Sequence, residues 1–348
     1  MSECVKQKNP VTVSEITPIV HNLPNKAASS TYGLIHQGPA TNKLTKLGRR
    51  KNNVTVDAIT GAASILEGEI TVTFPNLLSA EGLRTTSYRL LDAMTKELTE
   101  TGAKEPTVTM TLTDYMDMCG LSDRKEARRQ VEADLQILFD ASISLREKAS
   151  KKKIDQGFMD VRICEKKGIS RAGVIMMQFS STFFNLLKGY PTMPYPPQLF
   201  RLNSKRNPNS FYFLRKISEH KRMNAGKKNE DIIGVKTLLT SSPKMKDIEE
   251  VLAGNRNITD RIITPFERDM DVLSDTLKWE YCHANGTPLT EEELPVADYD
   301  SFIALLVHVT WNDYPDQTHL LEARAARAAE AQERKRTRKK TTKTKGEA

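Results

Sequence analysis

Two successive runs of helix, strand, short helix, long helix and β-ribbon predict an α+β chain of two tandem winged-helix domains. Each would be a helix-turn-helix followed by a β-wing, with a flexible N-terminal arm and a basic C-terminal tail. Three observations carry that class. Apolar spacing switches between a 3.6-residue and a two-residue period in the same order in both halves. Cations crowd the front of the helix that opens near Ser122. Between the halves, "YPTMPYPPQLF" (190–200) holds four prolines, the composition of a stiff extended linker.

The expected organisation is an arm over 1–65, a first domain over 66–190, the linker over 191–200, a second domain over 201–315, and a tail over 316–348. The arm is rich in Thr, Asn, Ser and Lys and lacks sustained periodicity; "TNKLTKLGRRKNN" (41–53) is a basic patch within it. "EITVTF" (69–74) alternates and is β-branched, so it reads as a strand. Residues 84–100 place Leu90, Leu91, Met94 and Leu98 on one helical face, with Gly102 positioned to end the helix in the left-handed conformation. "TVTMTL" (107–112) is a second strand. Thr113 is expected to cap the short helix "DYMDMC", which Gly120 ends.

Ser122 and Asp123 then open the long helix, with Asp123 and Glu126 at capping-box spacing. Ala127, Val131, Leu135 and Leu138 form its buried stripe. Strands are expected at 141–147, 158–166 and 173–180, forming the wing, and "STFFNLLKGY" closes the unit as a helix.

The second half repeats the scheme more loosely. A helix over 209–224 buries Phe211, Leu214 and Ile217, with Lys221 on the same stripe. "GVKTLLTSS" is a short helix. Residues 258–276 bury Ile262, Phe266, Met270 and Leu273, with a kink or late start at Pro265. "LKWEYCHANGTPL" reads as strand and turn, Asn285-Gly286 being a hairpin signal. "DSFIALLVHVTW" reads as the returning strand or a buried helix, the strand being favoured. The repeated order suggests duplication of one unit.

Charge and composition narrow the function. Of the net +8, residues 334–348 hold eight Lys/Arg and one Glu, so the rest of the chain is close to neutral. A nucleic-acid footprint outside the tail must therefore be a local cluster of cations. No apolar run reaches the ~18 residues a membrane span needs, and no signal peptide is evident. The cysteines, Cys4, Cys119, Cys164 and Cys282, are scattered and read as reduced thiols of a cytoplasmic protein.

Catalytic patterns fail one by one. The six histidines never come within ten residues of each other, so the paired metal-binding histidines of a nickase are missing. Gly33/Gly38 and Gly168/Gly173 have P-loop spacing, but Pro39 and Val174 stand where lysine is needed. "EKK" (165–167) and "EHK" (219–221) match a nuclease triplet that chance supplies in so charged a chain. "EEE" (291–293) and "DYD" (298–300) read as solvated loops, and His283 beside Cys282 is too little for zinc. No enzyme activity, catalytic residue, metal or cofactor is expected.

"TVTMTLTDYMDMCGLSDRKEARRQVEADLQILFDASISL", followed by a β-ribbon and "MMQFSSTFFNLLKG", resembles the first winged-helix domain of theta-type plasmid replication initiators. "PPQLFRLNSKRNPNSFYFLRKISEHK" and "ITDRIITPFERDMDVLSDTLKWEY" resemble the start and the recognition helix of their second domain. The resemblance covers about 66–312 and leaves out the arm and tail. It implies a sequence-specific protein of double-stranded DNA. Such a protein binds repeated origin sites (iterons), promotes opening of an AT-rich segment, and recruits the host initiator ATPase and replicative helicase. It also implies a homodimer that binds a promoter operator. Competing classes are a transcriptional regulator of a mobile element and a nickase or recombinase.

A recognition helix enters the major groove by its N-terminal residues. The DNA-contacting candidates of the first unit are therefore Ser122, Arg124, Lys125, Arg128 and Arg129, unless Glu126 and Glu132 pair these cations as a solvated face. Lys166, Lys167 and Arg171 of the wing are expected to meet phosphate, as are Lys151, Lys152 and Lys153. In the second unit the candidates are Asn257, Thr259, Arg261, Thr264 and Arg268. The polybasic tail would bind polyanions without sequence preference.

Overall fold

The computed structural model describes residues 32–38, 41, 54–67, 70–75, 84–146, 158–254, 257–294, 298–316 and 322. The 41–53 patch (Thr41 apart), Lys151–Lys153 and the polybasic tail lie outside them. The described residues begin with strands β1 (Gly33–His36), β2 (Val54–Val56), β3 (Ala63–Glu67) and β4 (Ile70–Phe74). The first helical unit follows as α1 (Thr85–Thr101), β5 (Thr107–Thr111), α2 (Leu112–Cys119) and α3 (Arg124–Asp140). Next come β6 (Ser142–Arg146), β7 (Phe158–Arg162), β8 (Cys164–Ile169), β9 (Val174–Phe179) and α4 (Ser181–Gly189). The connection carries β10 (Thr192–Tyr195) and α5 (Gln198–Arg201). The second unit runs α6 (Ser210–Asn224), β11 (Ile232–Gly234), α7 (Val235–Ser241), α8 (Ile248–Ala253), α9 (Thr264–Asp271), β12 (Leu277–Cys282), α10 (Tyr299–Ala304) and β13 (Leu306–Trp311).

Both units are winged helices of one topology. Their antiparallel sheets have the orders β5-β9-β8 and β11-β13-β12, so in each the last strand lies between the first and the second. Each sheet completes a helix-turn-helix, α2–α3 in the first unit and α7–α9 in the second. The expected apolar stripes are the buried ones: Leu90, Leu91, Met94 and Leu98; Ala127, Val131, Leu135 and Leu138; Ile262, Phe266, Met270 and Leu273.

Local signals act as expected at most ends. Gly102 and Gly120 end α1 and α2 in the left-handed region, with φ of 60° and 64°. The Asp123 side chain accepts from the Glu126 N–H at 3.0 Å and caps α3. Asn285-Gly286 forms the tight turn after β12, Gly286 having φ 89°. The cap of α2 is Thr111, not Thr113: its hydroxyl accepts from the Asp114 N–H at 3.0 Å. Thr113 instead accepts from Arg124.

Four further expectations are corrected. The strand expected at 158–166 is two strands in different sheets. β7 pairs with β6 in a five-stranded sheet of order β2-β3-β4-β6-β7, whereas β8 pairs with β9. Buried Ile163 is the crossing point, and buried Cys164 follows it directly, so the in-out alternation breaks at the switch. The wing is accordingly β8–β9, without β6.

Second, part of the arm is ordered into β1, β2 and β3. Third, the proline-rich connection is built in rather than standing apart. β10 pairs antiparallel with β1, and Met193, Tyr195, Leu199 and Phe200 are buried. Prolines are compatible with such a two-stranded pairing, because an edge can spare an N–H.

Fourth, "DSFIALLVHVTW" is both helix and strand. Asp298 caps α10 by accepting from the Ser301 N–H at 2.9 Å, and the chain turns to strand after Leu305. At Pro265 the chain avoids a break by widening: residues 259–263 form a π-helical turn in which the Thr264 N–H reaches the Thr259 carbonyl.

The units are joined through buried polar contacts. Asp92 of α1 faces Arg215 of α6 in an ion pair whose side chains are each 5 % exposed, and the Tyr195 hydroxyl donates to Asp92 at 2.7 Å. Burial pushes the Asp92 carboxyl up, against the pull of Arg215 and Tyr195. Arg89 of α1 donates to the Leu202 carbonyl. Gln198 of α5 donates to the Val272 carbonyl at 2.8 Å and accepts from Thr276 at 2.6 Å. At the far end Tyr32 meets Tyr314 edge-on, with centroids 5.5 Å apart, so the ordered N-terminal segment reaches the second unit.

Removing one partner of a buried pair leaves an uncompensated charge. Arg215→Met is expected to lower unfolding stability by about 3–5 kcal/mol, and Asp92→Leu/Arg215→Met to recover much of that loss. Urea unfolding of the single and double variants measures it; additive losses would show that the pair is not coupled.

Candidate nucleic-acid interface

The first unit presents the front of α3 beside the wing. The wing turn is tightly made: Gly173 has φ 90°, its N–H donates to the Ser170 carbonyl at 3.0 Å, and the Ser170 hydroxyl accepts from the Val174 N–H at 3.0 Å. The Leu112 N–H donates to the Gly173 carbonyl at 2.7 Å, docking the turn on the start of α2.

The α3 cations divide into two groups. Arg128 turns inward: it donates to the Ser170 carbonyl at 2.9 Å, to the Ile169 carbonyl at 3.4 Å and to Glu132 at 2.9 Å. Arg124 donates to Thr113 at 3.1 Å and lies along Gly173, where a Cβ would sit 2.7 Å from its Nη2. These two arginines brace the wing against the helix-turn-helix. Lys167 does the same further along, donating to Gln136 with its Nζ 5.4 Å from the Phe139 ring centroid.

The outward group is smaller. Arg129, its side chain 78 % exposed, forks onto Glu126 at 2.8 and 3.0 Å. That pairing draws the Glu126 carboxyl down through its hydrogen bonds with Arg129. Ser122, Lys125, Lys166 and Arg171 are exposed, and their side chains have no partner among the described residues. The pairing expected of a solvated face therefore holds for Arg128 and Arg129 but leaves Lys125 open.

In the second unit Asn257 caps the π-helical turn, accepting from the Asp260 N–H at 3.0 Å. Arg268 is tied to buried Asp269 at 2.7 Å. Thr259, Arg261 and Thr264 are exposed along the same element. The structure thus places Ser122, Lys125, Arg129, Lys166 and Arg171 outward on the first unit, and Thr259, Arg261 and Thr264 on the second. It gives Arg124, Arg128, Lys167, Asn257 and Arg268 internal partners.

Sequence reasoning missed the turn that follows α5. Asn203 Oδ1 accepts from the N–H groups of Lys205 and Arg206 at 3.0 and 3.1 Å, and both cations are exposed. The dipeptide Lys205-Arg206 between asparagines was a legible signal, hidden because it adjoins a supposed spacer.

Among the described residues, no group of three His, Cys, Asp or Glu is arranged to hold a metal ion, and no helix is long and apolar enough to cross a membrane. Cys119 and Cys164 are buried, and burial pushes both thiols up to about 11.

The fold defines a tandem winged-helix protein. Residues 71–193 match the family described as Initiator Replication protein, WH1. That match covers about a third of the chain. Among solved structures, the chain aligns with the crystal structure of selenomethionine derivatives of domains 2 and 3 of RctB. The identity is 11 %, over 78 % of this chain and 98 % of that one, with a TM-score of 0.42. A second crystal structure of the RctB domains 2–3 aligns at 13 % identity, over 77 % and 95 %, with a TM-score of 0.39. No curated protein matches the chain.

Hydrogen bonds from a charged donor are worth about 1.5–3 kcal/mol. Arg128→Ala is therefore expected to speed amide exchange at 169–174 roughly tenfold or more, while α1 keeps its protection. Unchanged exchange at the wing turn would show that Arg128 does not brace it.

Proposed function

We propose that the protein initiates replication of a plasmid or other mobile element by binding repeated duplex sites at its origin through both winged-helix units. The observation that carries the reading is the match of residues 71–193 to the initiator family, on a unit whose recognition helix keeps Ser122 and Lys125 open at its N-terminus. A helix docked by that end puts these side chains at base edges and the wing cations Lys166 and Arg171 beside phosphate. Arg124 and Arg129 stand beside them and are able to exchange their internal partners for DNA. In the second unit Thr259, Arg261 and Thr264 are the corresponding side chains. Origin opening and recruitment of a host initiator ATPase and helicase belong to the same reading, as does a homodimer acting on the promoter; none of these needs a catalytic residue in this chain.

Footprinting on the DNA that flanks the coding sequence tests the reading, followed by a strand-opening assay. Protection of direct repeats beside an AT-rich tract is expected; the absence of any protected repeat would sink it. On such a repeat, Lys125→Ala is expected to cost about 1–3 kcal/mol and to narrow the gap between cognate and random duplex. A titration by fluorescence anisotropy on both duplexes measures this.

A further inference from the structure

Residues 166–218 contain no Asp or Glu and nine Lys or Arg. This stretch therefore concentrates positive charge without help from the tail. Within it, the turn after α5 joins the two helix-turn-helix elements. At one end Arg201 donates to the Met118 carbonyl at 3.5 Å, beside Gly120 of the first unit's turn. Lys205 lies close enough to Glu126, on the first turn of α3, to favour its charge. At the other end the Asn209 backbone N–H and Nδ2 both donate to Asp269 of α9 at 2.8 Å, and Asp269 holds Arg268. Between these anchors the turn is closed by Asn203, which fixes the backbone from which Lys205 and Arg206 project.

We propose that this turn is a phosphate-binding bridge, with Lys205 and Arg206 holding the DNA backbone between the two recognition helices. The inference rests on the duplex-binding reading above. Side chains on a short rigid turn, not on a helix or ribbon able to enter a groove, meet the sugar-phosphate chain rather than base edges. The bridge therefore contributes affinity and register but no sequence preference.

The test uses the full chain with Lys205→Ala/Arg206→Ala, on one duplex from the flanking DNA and one of scrambled sequence, over a range of salt. Each phosphate contact contributes about 0.9 to the slope of log affinity against log salt, so the slope is expected to become shallower by about 1.8. Affinity should fall by the same factor on both duplexes. The unfolding midpoint should not move, because both side chains are exposed and Asn203 is kept. An unchanged slope and affinity, with Lys125→Ala still weakening cognate binding, would overturn the bridge and leave the duplex reading standing. Failure of the unaltered chain to bind either duplex would overturn both.

Discussion

The meeting of Asp92, Arg215 and Tyr195 is the constraint on which the arrangement of the molecule depends. It joins the first helix of one winged-helix unit to the first helix of the other, through the strand between them. Two charges withdrawn from water cost several kcal/mol each before their mutual attraction repays it. Such a pair contributes less to net stability than to discrimination, because any other packing of α1 on α6 leaves a buried charge without its partner. Burial also works against the Arg215 charge, and Asp92 and Tyr195 more than offset that effect. The spacing between the two recognition helices is therefore set by a polar lock rather than by a flexible tether.

Inside each unit a second buried carboxylate repeats the device. Asp134 of α3 accepts from the hydroxyls of Thr86 and Ser87, at 3.0 and 2.7 Å, in the first turn of α1. Asp269 of α9 accepts from Asn209 at the start of α6, and its own carbonyl accepts from Ser210 at 2.8 Å. Both acids are fully buried on a recognition helix, and both sit at the N-terminus of a first helix, where the dipole favours negative charge. Together with the shared strand order, this is better support for duplication than any likeness between the two halves' letters. It also shows how the recognition helix is oriented: one carboxylate fixes its rotation about its axis, and hence which cations face outward.

Much of this was legible in the sequence because it is local. Helical stripes, caps at Asp123 and Gly120, and an irregular step at Pro265 follow from neighbours within a turn or two. What was hidden depends on distant partners. β10 is a strand because β1 lies beside it, and β1 comes more than a hundred residues earlier. β7 and β8 part at Ile163 because their partners belong to different sheets. The run 301–311 is apolar-rich, and only the cap at Asp298 and the pairing of β13 between β11 and β12 divide it into helix and strand. The site was hidden for the same reason. Arg128 has the spacing of a DNA-reading residue, and nothing near it in the sequence announces that the carbonyls of Ile169 and Ser170 will occupy its guanidinium.

The cations of a basic helix are thus not equivalent, and their number says little about binding. Arg124 and Arg128 hold a wing in place, and a wing held in place is what lets Lys166 and Arg171 stand at a defined distance from Lys125. Internal use of charge stiffens the frame, while a few uncommitted side chains are left facing outward. In the second unit the same division gives Arg268 to Asp269 and leaves Arg261 outward. A duplex lying across both units would meet a surface whose register is set by buried acids and whose attraction comes from a handful of exposed cations. Exchanging a braced cation would alter the shape that the exposed ones rely on.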